Sequence, residues 1–174
     1  MSELRTNKIY PRDGLPAGAS GGGIIQVVQE VVTEGITYSN TSFADIPSPG
    51  LSTSITPSSA SNKILVIADI ACTGADGHFN IFQLVRGTTN IYAGTDSKTF
   101  IGSKVYYPAG NSNDDNSTMG NINMVFLDSP GVVGSPVTYK VQVRVTGSTA
   151  AMNTRISIDD TSVASSLTLM EVSG

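Results

Sequence analysis

Few side chains in this sequence are of the types that carry out catalysis. His78 is the only histidine and Cys72 the only cysteine. A histidine can activate a serine nucleophile, and Asp76 lies two residues before His78, but no Gly-x-Ser-x-Gly elbow appears among the predicted strands to expose such a serine. Cys72 borders an apolar run and is expected to pack as a small hydrophobic residue. We therefore predict no catalytic residue and no enzyme activity.

Two pairs of adjacent carboxylates could supply oxygen ligands to a cation. The pairs are Asp114 with Asp115 and Asp159 with Asp160. Neither has the alternating spacing of an EF-hand loop, and adjacent carboxylates in a loop are more often simply solvated. We predict no metal site and no cofactor, and whether Ca²⁺ binds these acidic loops stays open.

One loop has the chemistry of a carbohydrate or receptor contact. Residues 107–120 form the longest polar stretch after the N-terminal region, with two tyrosines at its base. Amides can bind sugar hydroxyls and aromatic rings can stack on sugar faces. The alternative is a solvated loop with core tyrosines, and the absence of tryptophan favours that alternative. The candidate contact residues are Tyr106, Tyr107, Asn111, Asn113, Asp114, Asp115 and Asn116.

Composition and charge exclude several other functions. Charged residues make up only 14% of the 174 residues, and the net charge is −4 with a pI near 4.7. Nucleic-acid binding needs a basic face, so we expect no nucleic-acid partner. No apolar stretch approaches the length that spans a bilayer, and the first residues lack the apolar core of a signal peptide. We expect synthesis in a cytoplasm and no membrane span.

The remaining pattern predicts a single all-β domain over residues 24–174. In residues 138–145, Tyr139 and three valines alternate with polar residues, which is typical of a half-buried strand. Residues 64–71 are apolar on both faces apart from Asp69, which favours a central strand whose second face could be covered by a neighbouring subunit. The predicted strands are 24–32, 36–45, 51–56, 63–71, 79–86, 89–94, 99–107, 121–127, 137–146, 154–159 and 164–172.

Residues 1–23 differ in composition from the domain. They hold three of the ten basic residues, two prolines and a run of three glycines. Proline removes a backbone donor and consecutive glycines form a flexible joint, so this segment is expected to be an extended arm with a hinge. The arm either docks on another protein or is a disordered terminus. The candidate docking residues are Leu4, Arg5, Lys8, Ile9, Tyr10 and Arg12.

Several segments resemble a known class of viral proteins. They are SELRTNKIYPRDG with the following glycines and IIQVVQ, ITPSSASNKILV at 55–66, LVRG at 84–87, FLDSPG at 126–131 and VTYKVQV at 137–143. Together they resemble short tail-fibre and virion-appendage structural proteins of marine tailed bacteriophages, notably those that infect cyanobacteria. These motifs are strands and turns and contain no catalytic residues.

The resemblance implies a virion protein, made in the host cytoplasm, whose arm anchors it to the tail or capsid. It also implies a homotrimer that projects its β-domain and aids host attachment, with a cell-surface glycan or protein as a further partner. The fold expected is a single jelly-roll-like antiparallel β-sandwich preceded by the arm. The alternatives are a capsid decoration or cement protein without receptor binding, or a carbohydrate-binding or depolymerising module. We expect only the arm and the domain, without the long shaft of a full-length tail fibre.

Overall fold

The chain folds as an all-β domain. A computed structural model describes residues 23–74, 79–92, 119–147, 149–154 and 163–174, and the backbone alone of 104–106. Within these residues there are strands and loops and no helix. The strands are β1 Ile24–Val32, β2 Ile36–Tyr38, β3 Ala44–Asp45, β4 Ser52–Ile55, β5 Lys63–Thr73, β6 Phe79–Arg86, β7 Thr89–Asn90, β8 Lys104–Tyr106, β9 Gly120–Asp128, β10 Val137–Val145, β11 Ala150–Met152 and β12 Ser165–Val172.

The strands form two antiparallel sheets. Sheet I has the order β1-β12-β5-β11-β2, and β9 pairs with the free side of β5. Sheet II has the order β3-β10-β6-β7, with β4 also on β10 and β8 also on β6. Every pair of neighbouring strands runs antiparallel. The fold class predicted from the sequence is confirmed at this level.

The core lies between the two sheets and is built by alternation along the strands. In β10, Tyr139, Val141, Val143 and Val145 are each at most 1% exposed, whereas the residues between them are half-buried. In β5, every second residue from Ile64 to Cys72 is fully buried. Side chains from both inner faces therefore meet in one core, as in a β-sandwich. Cys72 belongs to that core, as the sequence predicted.

A buried asparagine closes one end of sheet I. Asn153 follows β11 with a φ of 62°, in the left-handed region that asparagine adopts more readily than most residues. Its Nδ2 donates to the carbonyls of Val32 at 2.7 Å and Glu34 at 3.2 Å. Its Oδ1 accepts a hydrogen bond from Oγ of Ser165 at 2.5 Å. This side chain ties the end of β1 to the start of β12.

The strand boundaries test the sequence predictions in detail. Strands 24–32 and 79–86 have the predicted bounds, and Arg86 pairs with Thr89 across the predicted hairpin, where Gly87 has a φ of 58°. The predicted strand 36–45 is wrong as a continuous element, because it splits into β2 and β3, which belong to different sheets. The sequence missed β11. Of the strand predicted at 154–159, residue 154 is a bend and the rest lies outside the described residues.

Candidate functional site

The outer face of sheet I carries several accessible apolar side chains. Val27 on β1 is 53% exposed, and Val125 and Leu127 on β9 are 58% and 49% exposed. Between these edges, β12 and β5 present half-buried side chains on the same face, among them Met170, Leu65 and Ile67. A solvated antiparallel sheet normally carries polar residues on its outer face. We call this surface the sheet I face.

Strand register makes the sheet I face continuous. Leu127 pairs with Leu65, Leu65 with Met170, and Met170 with Val27, so one row of apolar side chains crosses four strands. The next row joins the apolar Val125 and Ile67 to the polar Thr168 and Gln29, and Nε2 of Gln29 donates to Oγ1 of Thr168 at 2.9 Å. Directly paired side chains lie about 5 Å apart. A contiguous apolar surface of this kind marks an interaction site.

Two charged residues of β5 belong to the sheet I face. Asp69 is half-buried between Asn123 and Ser166, its partners on the neighbouring strands. Its Oδ1 is shielded from solvent and accepts no hydrogen bond from any described residue. Lys63 is exposed at the other end of the same strand, on the same side as Asp69. The apolar rows therefore separate a carboxylate from a cation.

The outer face of sheet II has the opposite character. Lys140 forms an ion pair with Asp45 at 2.8 Å, and Nε2 of Gln142 donates to the same carboxylate at 2.8 Å. Gln83 donates to Gln142 at 2.7 Å, and Asn90 donates to Gln83 at 2.7 Å. The hydrogen bonds from Lys140 and then Gln142 lower the pKa of Asp45. This chain of amides and charges satisfies its own groups, and within it Gln83 is only 6% exposed, between the buried Ile81 and Val85 on the same side of β6.

A charged cluster inside the sandwich connects the two sheets. Asp128 on β9 is 6% exposed and accepts hydrogen bonds from Arg86 at 2.7 Å and Tyr139 at 2.6 Å. Burial and the neighbouring Asp128 carboxylate raise the pKa of Tyr139. The Asp128 carboxylate therefore has both a cation, Arg86, and a hydroxyl, that of Tyr139, as partners within the fold. We assign it a structural role.

A second buried carboxylate closes the other edge of the sandwich. Glu171 on β12 is fully buried, and its Oε1 accepts from the backbone N and Oγ of Ser58 and from Nδ2 of Asn62, while its Oε2 accepts from Nε2 of Gln26. Burial alone would raise the pKa of Glu171, but the hydrogen bonds from Asn62, Gln26 and Ser58 outweigh burial and lower it to about 2. Glu171 therefore stays ionised and joins β12 to β1 and to the loop before β5.

A shallow cavity lies between the β3–β4 loop and β10. Its volume is about 260 Å³, and its lining includes Leu51, Pro49 and the ion-paired Asp45 and Lys140. Because the two charges bind each other, neither is directed at a ligand.

In the described ranges, no group of three or more His, Cys, Asp or Glu side chains is placed to hold a metal ion. No helix in that part of the chain is long and apolar enough to cross a membrane.

Most residues predicted as sites lie outside the described residues. This holds for the arm residues Leu4, Arg5, Lys8, Ile9, Tyr10 and Arg12, for His78, for both aspartate pairs, and for Tyr107, Asn111, Asn113 and Asn116 of the loop. Tyr106 ends β8, of which only the backbone is described. The sequence indicated the outer face of β5 but missed the contributions of β1, β9 and β12. The signal was present as valines and a leucine at alternate positions of β1 and β9.

The chain matches no protein-family model, and no curated protein matches it significantly in sequence.

Proposed function

We propose that this chain is a structural protein of a bacteriophage particle, attached through residues 1–23, whose β-sandwich is the body of a homo-oligomeric appendage. The observation that carries the proposal is the contrast between the two outer faces. On sheet II the outward polar groups pair with one another and the outward apolar residues Ile81 and Val85 are at most 3% exposed, whereas on sheet I Val27, Val125 and Leu127 are about half exposed. A surface of the second kind is stabilised when another protein covers it.

Strand order supports a jelly roll as the architecture of the body. Consecutive short strands that pair with the same part of the chain can be counted together as one segment. The chain then has eight segments in sequence order, which are β1 with β2, β3 with β4, β5, β6, β7 with β8, β9, β10, and β11 with β12. Segment 1 pairs with segment 8, segment 2 with 7, segment 3 with 6, and segment 4 with 5. Nested pairing shared between two sheets is the jelly-roll arrangement, which viral capsid domains and lectins use.

The position of the arm supports an anchoring role. Residues 1–22 precede Gly23, whose carbonyl accepts a hydrogen bond from the backbone N of Ser173 at 3.2 Å. The arm therefore joins the body at an edge strand of sheet I, beside the last residues of the chain. Several arms on one oligomer raise the effective concentration of each for the particle surface, so weak individual contacts give lasting attachment.

Removal of the arm tests this function. A variant lacking residues 1–20 is expected to fold and oligomerise as the full chain does but to be missing from purified particles. Circular dichroism and native mass spectrometry check the body, and immunoblotting of gradient-purified particles checks incorporation. A full-length variant with Arg5, Lys8 and Arg12 changed to Ser keeps the arm's length and separates its charge from its presence. Incorporation of the truncated chain at the normal level would refute the anchoring role.

A further inference from the structure

We propose that the occupant of the sheet I face is a second copy of this chain, stacked antiparallel so that Lys63 of each copy pairs with Asp69 of the other. The inference rests on the homo-oligomeric body proposed above and names the face and the residues that join the copies.

The apolar rows set the chemistry of the occupant. Val27, Val125 and Leu127 are about half exposed, and each is continued across the sheet by half-buried neighbours such as Leu65 and Ile67. Two sheets of this kind stack about 10 Å apart with their side chains interdigitated. The sheet I face of another copy presents the same apolar row and the same exposed valines, which makes it a matching partner.

The two charges make the face complementary to itself. Asp69 has an oxygen that accepts no hydrogen bond from a described residue, although it is shielded from solvent. Lys63 is exposed and forms no ion pair with any described residue. A carboxylate oxygen shielded from water is costly unless a cation or donor pairs with the group. A second copy supplies that cation from the same position of its own chain.

The spacing along β5 fixes the symmetry of the pair. Lys63 and Asp69 are equally distant from Val66 and about 20 Å apart at the rise of a β-strand. A two-fold axis in the interface, perpendicular to β5 at Val66, places Lys63 over Asp69 of the second copy and Leu65 over its Ile67. Both ion pairs form at once, as in any isologous interface.

A parallel arrangement of the copies does not bring Lys63 of one copy to Asp69 of another. If three copies packed their sheet I faces around an axis along the strands, the Lys63 side chains would gather at one end and the Asp69 side chains at the other. Like charges held together in an interface disfavour that assembly. The charge layout therefore favours a two-fold pair over the trimer that the sequence resemblance implies.

The pairing has a consequence for attachment. β1 begins beside Val172, the residue that pairs with Lys63, so the arm enters the body at the Lys63 end of the face. In the antiparallel pair the two arms enter at opposite ends. The pair then binds the particle at two separated points, which suits a decoration protein better than the tip of a fibre.

Charge exchange in the full-length chain tests the pairing. Asp69→Lys alone and Lys63→Asp alone each turn both ion pairs into like-charge contacts and are expected to weaken self-association at least about tenfold. An equimolar mixture restores both contacts, because each lysine then faces an aspartate. Sedimentation equilibrium and native mass spectrometry should show a wild-type dimer, dissociated single variants and a one-to-one dimer in the mixture.

Matched changes on sheet II provide the control. Thr138→Lys and Ser52→Asp place the same charges on the outer face of sheet II and should leave the dimer intact, and thermal melts confirm that every variant folds. A monomeric wild type, a wild-type trimer, or a mixture that associates no better than the single variants would overturn the proposal. Any of these results would leave the anchoring role of residues 1–23 undecided, because the arm-deletion experiment tests that role separately, through incorporation into particles.

Discussion

The hydroxyl of Tyr139 on β10 donates to Oδ2 of Asp128 on β9 at 2.6 Å, and this buried hydrogen bond links the two sheets. The carboxylate keeps a second partner in Arg86, at 2.7 Å. Hydrogen bonds to charged groups are worth more than neutral ones. This link should therefore contribute measurably to the stability of the sandwich.

Tyr139→Phe is expected to lower the free energy of unfolding by about 2 kcal/mol, because it leaves a buried carboxylate with one partner fewer. Urea denaturation measures the change. Tyr92→Phe is the control, since its hydroxyl has no hydrogen bond to a described residue, and it should change stability by less than about 0.5 kcal/mol. Equal losses in the two variants would show that the hydroxyl of Tyr139 has no special role.

The same tyrosine predicts a response to alkaline pH. Burial and Asp128 raise the pKa of Tyr139 above its usual value of 10.0, so the folded state favours the protonated hydroxyl. The stability that this group contributes is complete below pH 10 and is lost as pH rises beyond it. Denaturation midpoints above pH 10 should fall less steeply in Tyr139→Phe than in the wild type. Parallel curves would contradict this.

Glu171 predicts a response to acid. Its pKa is about 2 in the folded chain against a usual 4.5, so its contribution is complete above pH 4.5 and is lost as pH falls towards 2. The difference corresponds to about 3 kcal/mol. Glu171→Gln should lower stability at pH 7 by at least about 1 kcal/mol, because an amide cannot accept all of the carboxylate's hydrogen bonds, and should flatten the profile between pH 4.5 and 2. The exposed Glu34→Gln is the control, and an unchanged acid profile in Glu171→Gln would exclude this role.

At Asn153 we expect a glycine variant to be more stable than an alanine variant. At a residue with an ordinary φ the alanine variant is the more stable of the two, but the φ of 62° favours glycine here. Asn153→Ala should cost about 3 kcal/mol, from the lost hydrogen bonds and the backbone strain, and Asn153→Gly about 1 kcal/mol less. Thermal and urea melts decide the order. A glycine variant less stable than the alanine variant would show that backbone conformation is unimportant at this site.

The apolar part of the sheet I face has its own test. Val125→Ser removes a side chain that is 58% exposed in the single chain, so the stability of the fold should change by less than about 0.5 kcal/mol. If a second copy buries that side chain, self-association weakens at least about tenfold. Val133→Ser is the matched control, since Val133 is 56% exposed but lies in a loop. Equal dissociation constants for the two variants would exclude Val125 from the interface.

Local alternation allowed much of the fold to be predicted from the sequence. The inward and outward residues of β10 follow the predicted pattern, and β1 and β6 have the predicted ends. β11 was missed because Ala150–Met152 is three residues long and buried throughout, so no alternation marks it. The pairing of β11 with β2 and β5 could not be predicted either, because those strands are far away in the sequence.

The candidate surface was only partly predictable for the same reason. The sequence of β5 showed two apolar faces, but the register that aligns Val125 with Ile67 and Val27 with Met170 is a property of the folded sheets. Glu171 was missed because a glutamate near the end of a chain normally indicates a solvated residue. Its buried state depends on donors from Gln26, Ser58 and Asn62, which are far away in the sequence.

Cryo-electron microscopy of the purified virus particles that are proposed to carry this chain is the decisive measurement. We expect density for the β-sandwich on the particle surface, with residues 1–23 ordered against another particle protein and the sheet I face covered by a second copy. Particles that lack the chain, or a bound chain whose arm contacts nothing and whose sheet I face is open to solvent, would contradict this expectation.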